Sequence, residues 1–158
     1  MMPYRGLRGK SATRAAARYD ARMYEHFEHT ADLGLRVRAP NLNTLFAEAA
    51  EALFAAIVED LNTVEPRDPL ALRVAGTDRA YLLFDWLRAL LFQFEGERRL
   101  FRRFDVHVAE DGLTATAWGE PFDPVRHPLS HEVKAITYHG LVVEPADGGW
   151  LAEVIVDI

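Results

Sequence analysis

Three oxygen-bearing groups stand out for the chemistry they would do together. Asp32 lies in His29-Thr30-Ala31-Asp32-Leu33-Gly34, where a short polar run meets a glycine and an apolar run begins. Asp157 lies in Val156-Asp157-Ile158, and the sequence stops there, straight out of an apolar stretch with no polar tail. An Asp just before a strand is ordinarily a turn former that bonds its own backbone two residues on. A chain end held in an apolar strand is unusual, because terminal residues are normally loose. If the two ends meet, Asp32, Asp157 and the carboxylate of Ile158 form an anionic, all-oxygen cluster of the kind hard cations bind. Two carboxylates about 4 Å apart repel by about 4 kcal/mol at an effective dielectric near ~20. Such a cluster therefore needs a cation, a proton or a lysine beside it. Lys134 is the one lysine after Lys10, on a stretch expected to pair near the C-terminal strand. A lone charge on an apolar strand either snorkels at an edge or pairs with carboxylates.

Other chemistries find less support. There is no phosphate-binding glycine loop, no nucleophile elbow and no zinc-protease helix motif. The histidines are His26, His29, His107, His127, His131 and His139. The pairs His26/His29 and His127/His131 fall outside expected helices, and Pro128 interrupts the second, so zinc is a weak reading. His29 is a candidate to orient Asp32. His139 either supports the cluster from outside in the same way or is an ordinary sheet residue.

The elements that must position these groups can be read from periodicity. Tyr24 to Phe27 is a short extended run, and Leu35 to Arg38 alternates as a strand. Asn43 or Thr44 can cap a helix to about Val58, with Phe46, Ala49, Ala50, Leu53, Phe54 and Ile57 on one stripe. Thr63 to Pro69 reads as a loop and Leu70 to Val74 as a strand. Asp78 or Thr77 caps a second helix to about Glu95, stopped by Gly96. Its broad stripe of Leu83, Trp86, Leu87, Leu90, Leu91 and Phe94 is core against a sheet. Glu97 to Arg103 is expected to be a charged connection. Beyond it the period changes to two. Phe104 to Val108 and Leu113 to Ala117 flank an Asp111-Gly112 turn, and Gly119 to Pro128 is a proline-rich loop. Glu132 to His139 reads as a strand with Val133, Ala135, Thr137 and His139 on one face. Leu141 to Val143 continues it, and Trp150 to Ile158 follows an Asp147-Gly148-Gly149 turn. The pattern predicts an α+β, two-layer domain: two amphipathic helices packed on one face of a mostly antiparallel mixed sheet of about six or seven strands.

Composition bounds the function. The 158 residues suffice for one domain with a proper core, and 49% are hydrophobic, as in globular chains. No apolar run reaches the roughly 18 residues a membrane helix needs, so no membrane partner is expected. The absence of cysteine removes disulfides, thiolate metal sites and a cysteine nucleophile, and fits a cytoplasmic protein. The formal net charge of −6 argues against nonspecific nucleic-acid binding by the whole surface. Residues 1–22 nonetheless hold Arg5, Arg8, Lys10, Arg14, Arg18 and Arg22 against Asp20 alone. This basic, alanine-rich segment is expected to be a disordered N-terminal extension. It reads as an RNA- or acid-binding tail, as a targeting peptide, or as a stretch upstream of a true start at Met23. Residues 23–158 form the domain.

Taken together, certain residues resemble the archease family. They are His29-Thr30-Ala31-Asp32-Leu33-Gly34, Trp86-Leu87, Gly119-Glu120 with Asp123 and His127, Val133-Lys134-Ala135-Ile136-Thr137-Tyr138-His139, and Asp157-Ile158, in the family's order from Tyr24 to Ile158. The resemblance implies a protein cofactor of the RtcB-type RNA ligase of tRNA splicing and RNA repair. Such a cofactor promotes guanylylation of the ligase's active-site histidine and so its repeated turnover, and it meets RNA only through the ligase. It further implies a divalent metal ion (calcium, with manganese or magnesium as alternatives) on Asp32, Asp157 and Ile158, and a role for Lys134 in ligase activation. Two other readings compete: a chaperone-like modulator of a tRNA-modifying enzyme such as a methyltransferase, and a stand-alone metal-dependent hydrolase. The second lacks an evident nucleophile and base.

Overall fold

A computed structural model of the chain describes residues 23–29 and 32–158, with 28 and 29 described in backbone only. The expected N-terminal extension, residues 1–22, and Thr30 and Ala31 lie outside the described residues.

Strands β1 (Tyr24–His29) and β2 (Asp32–Ala39) pair antiparallel. Asn41 then caps helix α1 (Leu42–Ile57), its side-chain oxygen accepting the Thr44 N–H at 2.8 Å. The cap lies upstream of the residues expected. Asn43 is used elsewhere, its side-chain oxygen accepting the Val108 N–H at 2.8 Å. Strand β3 (Asp68–Ala75) follows. Helix α2 (Arg79–Glu97) is capped by Asp78, which accepts the Tyr81 N–H at 3.0 Å. It runs past Gly96 and stops at Arg98, a left-handed residue at φ 53°. An Arg there is disfavoured by its Cβ. Its guanidinium offsets that cost by lying over Phe94 at 4.7 Å and Phe122 at 4.9 Å.

Strands β4 (Arg99–Ala109) and β5 (Gly112–Pro121) complete a three-stranded antiparallel sheet of order β3-β5-β4. The charged connection expected at 97–103 is therefore mostly strand. Its arginines are accommodated by aromatic rings, Arg99 over Phe101 at 5.0 Å and Arg103 over Trp118 at 4.0 Å. A register shift between Phe101 and Arg103 turns Phe101 and Phe104 toward the same core. Gly119 sits beside that shift, where a Cβ would strike the Leu100 carbonyl.

The second sheet has five strands. Strand β8 (Gly149–Asp157) pairs with β2 along one edge. Its other edge is shared by β7 (Val142–Ala146) and the two-residue β6 (Ala135–Ile136). The α+β architecture with two helices holds, but the strands divide between two antiparallel sheets rather than forming one. Helix α1 touches β1, β2 and β8 of one sheet and β4 of the other. It can do so because it is buried on more than one side, by Ala49, Ala50, Ala52 and Ala56 as well as by Phe46, Leu53 and Phe54. Trp86 of α2, fully buried, donates its ring N–H to the Phe46 carbonyl at 3.0 Å. Among the described residues no helix is long and apolar enough to cross a membrane.

The long strand expected over 132–139 is mostly extended chain, with ladder pairing only at β6. Val133 and Ile136 are both buried whereas Lys134 and Ala135 are exposed. The expected alternation is therefore broken. Main-chain bonds hold the segment instead, from Lys134 N–H to the Asp157 carbonyl at 2.7 Å and from Thr137 N–H to the Ile155 carbonyl at 3.0 Å.

Candidate functional site

The backbone register brings the two expected aspartates together. His29 pairs with Asp32, Asp32 with Asp157, and Asp157 with Ala135, so one row crosses four strands. Residues directly opposite in antiparallel strands share a face, with Cβ atoms about 4.5–5.5 Å apart. Leu33, Leu35 and Val37 of β2 and Ala152, Val154 and Val156 of β8 are buried in the core. Alternation therefore puts Asp32 and Asp157 on the opposite face, where both are half-buried. Of His29 only the backbone is described, at its register position in this row. Lys134, exposed, is tied to the row through its main chain at Asp157. Ile158 follows Asp157 and packs against the edge of the core. His139 lies four residues beyond the Ala135 position, exposed, with its N–H on the Thr137 hydroxyl at 3.2 Å.

The neighbouring rows of this face explain two further residues of the Asp32 stretch. Gly34 is required because the Phe27 ring lies where its Cβ would be. The Arg36 guanidinium lies over the same ring at 4.5 Å. It donates from Nε to Glu153 at 2.7 Å and from Nη1 to Glu25 at 3.2 Å. Burial alone would lower the Arg36 guanidinium, but the bonds and charges of Glu153 and Glu25 outweigh it and raise it. The arginine nearest the aspartates in sequence thus serves two glutamates.

Carboxylate oxygens are donors of the kind hard cations take. Among the described residues no three His, Cys, Asp or Glu are grouped to hold a metal ion. A cation at this row would need main-chain oxygen beside the two Asp carboxylates, and the carboxyl end at Ile158 adjoins them. Hard cations take mixed sets of carboxylate and main-chain oxygens.

A second polar cluster is built around Glu120, which is 1% exposed. Its Oε2 accepts Arg126 Nη2 at 2.7 Å, the Glu65 N–H at 2.8 Å and His127 Nε2 at 2.9 Å, and its Oε1 accepts Arg126 Nη1 at 3.0 Å. His127 is wholly buried, and its Nδ1 accepts the Asp123 N–H at 2.9 Å. That bond places the ring proton on Nε2, facing Glu120. The Arg126 hydrogen bonds, against the opposing effect of burial, together with Glu65 and His127 hold the Glu120 carboxyl down to about 2. Glu120 in turn raises Arg126. Two connections, Ile57–Arg67 and Glu120–Ser130, are locked together here.

The Archease protein family matches residues 24–158. The chain belongs to the archease family. A relative named protein archease, from Methanopyrus kandleri, is 44% identical over 139 residues, covering 85% of this chain and 99% of its own. Another from Pyrococcus abyssi is 41% identical over 140 residues, covering 85% and 98%. The solution structure of Methanobacterium thermoautotrophicum protein 1598 superimposes with a TM-score of 0.78 at 36% identity, covering 86% of this chain and 99% of that one.

The residues that carry the resemblance separate in space into two groups. Asp32, Gly34, Lys134 and Asp157 belong to the sheet row and its neighbours, whereas Glu120, Asp123 and His127 belong to the buried cluster. The second group has no role that the sequence alone makes legible. The signal there was a Glu and a His seven residues apart in a proline-rich stretch that also holds Asp123 and Arg126. The weakly expected zinc pair does not form as such: His127 engages Glu120, and His131 Nδ1 lies 3.1 Å from the Ala56 carbonyl oxygen.

Proposed function

We propose that this archease activates an RtcB-type RNA ligase, promoting guanylylation of the ligase and its repeated turnover. The activating site is the Asp32–Asp157 row with Ile158 and Lys134. The observation that carries this reading is the direct cross-strand pairing of Asp32 with Asp157 on one half-buried face. Like charges directly opposite in a sheet are destabilising, and a divalent ion between them would offset that repulsion.

Asp32, Asp157 and the terminal carboxylate of Ile158 would hold the ion. When bound, it supplies positive charge of the kind that stabilises phosphoryl transfer. This chain's own residues do the positioning. The β2–β8 ladder fixes the spacing of the two carboxylates. The Lys134–Asp157 main-chain bond ties that residue to the row, and its exposed ammonium would be free to reach a phosphate oxygen of the incoming nucleotide. Neither aspartate belongs to the core, so their removal leaves the fold intact.

The test is RNA ligation with the ligase limiting, in GTP and manganese, with and without this protein. Wild type is expected to raise the number of turnovers, and Asp32→Ala and Asp157→Ala to lose the effect while folding normally. Full stimulation by both variants would refute the site. Absence of stimulation by folded wild type would refute the function, and co-purification with a methyltransferase would replace it.

A further inference from the structure

The buried Glu120 cluster holds in place a loop whose surface is apolar. Within Phe122–Ser130, Pro124, Val125, Pro128 and Leu129 are all exposed, Val125 by 87% and Leu129 by 44%. An exposed run of this kind is ordinarily mobile and polar. This one is fixed. Asp123 Oδ1 accepts the Val125 N–H at 2.9 Å, Arg126 reaches the Thr63 carbonyl at 3.2 Å, and the Pro128 carbonyl accepts the Glu59 N–H at 2.9 Å. Ser130 N–H bonds the Ile57 carbonyl at 2.8 Å, and Leu129 forms a β-bridge with Val58. Two prolines stiffen it further. A buried ion pair is a costly way to stabilise a fold, but it makes a rigid mount.

The loop lies at the end of the molecule that carries the aspartates. Helix α1 starts just after β2 ends and runs back along it, so its C-terminus returns to the level of Asp32. The loop is bonded to that C-terminus at Ala56–Glu59, and Lys134, four residues beyond Ser130, is bonded to Asp157. Glu59, Asp60 and Glu132 are exposed at the same end. The apolar ridge is therefore bordered by these exposed carboxylates, while the guanidiniums of Arg126 within it and Arg67 beside it are turned to Glu120.

We infer that Pro124, Val125, Pro128 and Leu129 form a rigid docking ridge that seats this acidic end on its protein partner. The partner surface it fits is an apolar pocket at the rim of a positively charged cleft, as an enzyme that accepts RNA presents. This rests on the ligase reading and names the contact through which it works. Preorganisation explains the construction: a loop already in its bound shape loses little conformational freedom on docking, and a few central apolar anchors dominate interface energy.

The test is a titration of the full chain against limiting ligase, comparing wild type with Val125→Asp and Leu129→Asp. Val125 is almost wholly exposed, so its substitution leaves thermal stability unchanged, and that is measured alongside. The expected result is a rise of about tenfold or more in the concentration giving half-maximal stimulation, from loss of one buried anchor, with the same stimulation at saturation. Asp32→Ala, by contrast, should lower the maximum. Half-maximal stimulation at the wild-type concentration by both ridge variants would overturn the docking assignment while leaving the ligase reading standing. A ridge variant that instead turns a dimer into a monomer, with unchanged ligase response, would assign the ridge to self-association and likewise overturn it. No stimulation by wild type would overturn both.

Discussion

Removing the Glu120 carboxylate should cost this fold more than any other single polar change. In Glu120→Ala the His127 Nε2–H, inside a wholly buried ring, loses its acceptor at 2.9 Å, and the Glu65 N–H loses its acceptor at 2.8 Å. An orphaned buried donor costs about 1–3 kcal/mol, and a partly buried one about 1 kcal/mol. Arg126, whose side chain is 45% exposed, regains water and adds little. The sum is about 2–4 kcal/mol, or about 4–16 °C in Tm for a chain of this size. Glu120→Gln keeps the shape and one acceptor oxygen, so it should lose less. The assay is urea and thermal unfolding followed by circular dichroism, with an unchanged folded-state spectrum as control. A Glu120→Ala protein within about 0.5 kcal/mol of wild type would refute the reasoning, since a surface substitution costs that much at most.

Four further outcomes are expected. Because Glu120 is held at about 2 in the fold and titrates near 4.5 when unfolded, its stabilisation is complete above 4.5 and disappears as pH falls toward about 2. Unfolding midpoints between pH 5 and 2 should therefore fall more steeply for wild type than for Glu120→Gln. Gly34→Val should destabilise by about 1–3 kcal/mol, because the Phe27 ring must leave its place, and urea titration reads this directly. Asp157→Asn should unfold at the same temperature with or without calcium, whereas wild type should rise with added calcium. In metal-free buffer the variant should be more stable by up to about 1 kcal/mol, from relief of like charge. A polar extension fused after Ile158 should weaken calcium binding in calorimetry without changing the metal-free Tm.

How far the sequence led depended on whether the forces were local. Both helices were legible because their stripes are local: Asp78 caps α2 as expected and Trp86 is core, although α1 is capped by Asn41, upstream of the residues expected. The end of α2 was not, because Arg98 adopts a left-handed conformation against Phe94 and Phe122, the latter far along the chain. The division into two sheets was hidden in α1. Its alanines lie beside the aliphatic stripe and let a second sheet approach, a pattern that reads as one broad stripe when only one sheet is imagined. Residues 132–139 looked like a strand because β-formers alternate there. Their place is set by main-chain bonds to Asp157 and Ile155, which no local pattern encodes. Asp32 and Asp157 were brought together by the idea that both chain ends enter one sheet, and the register places them opposite each other. The Glu120 cluster escaped because its meaning depends on the Glu65 N–H, 55 residues away, and on which ring nitrogen of His127 faces it.

The most direct measurement of the proposed role is transfer of labelled GMP from GTP to the ligase's histidine, followed in time with the ligase in excess over this protein. Wild type should accelerate formation of the ligase–GMP adduct and sustain it over successive cycles, and Asp32→Ala, Asp157→Ala and Lys134→Ala should each leave the unassisted rate. An unchanged rate with wild type, or full acceleration by the aspartate variants, would contradict the assignment of ligase activation to this row.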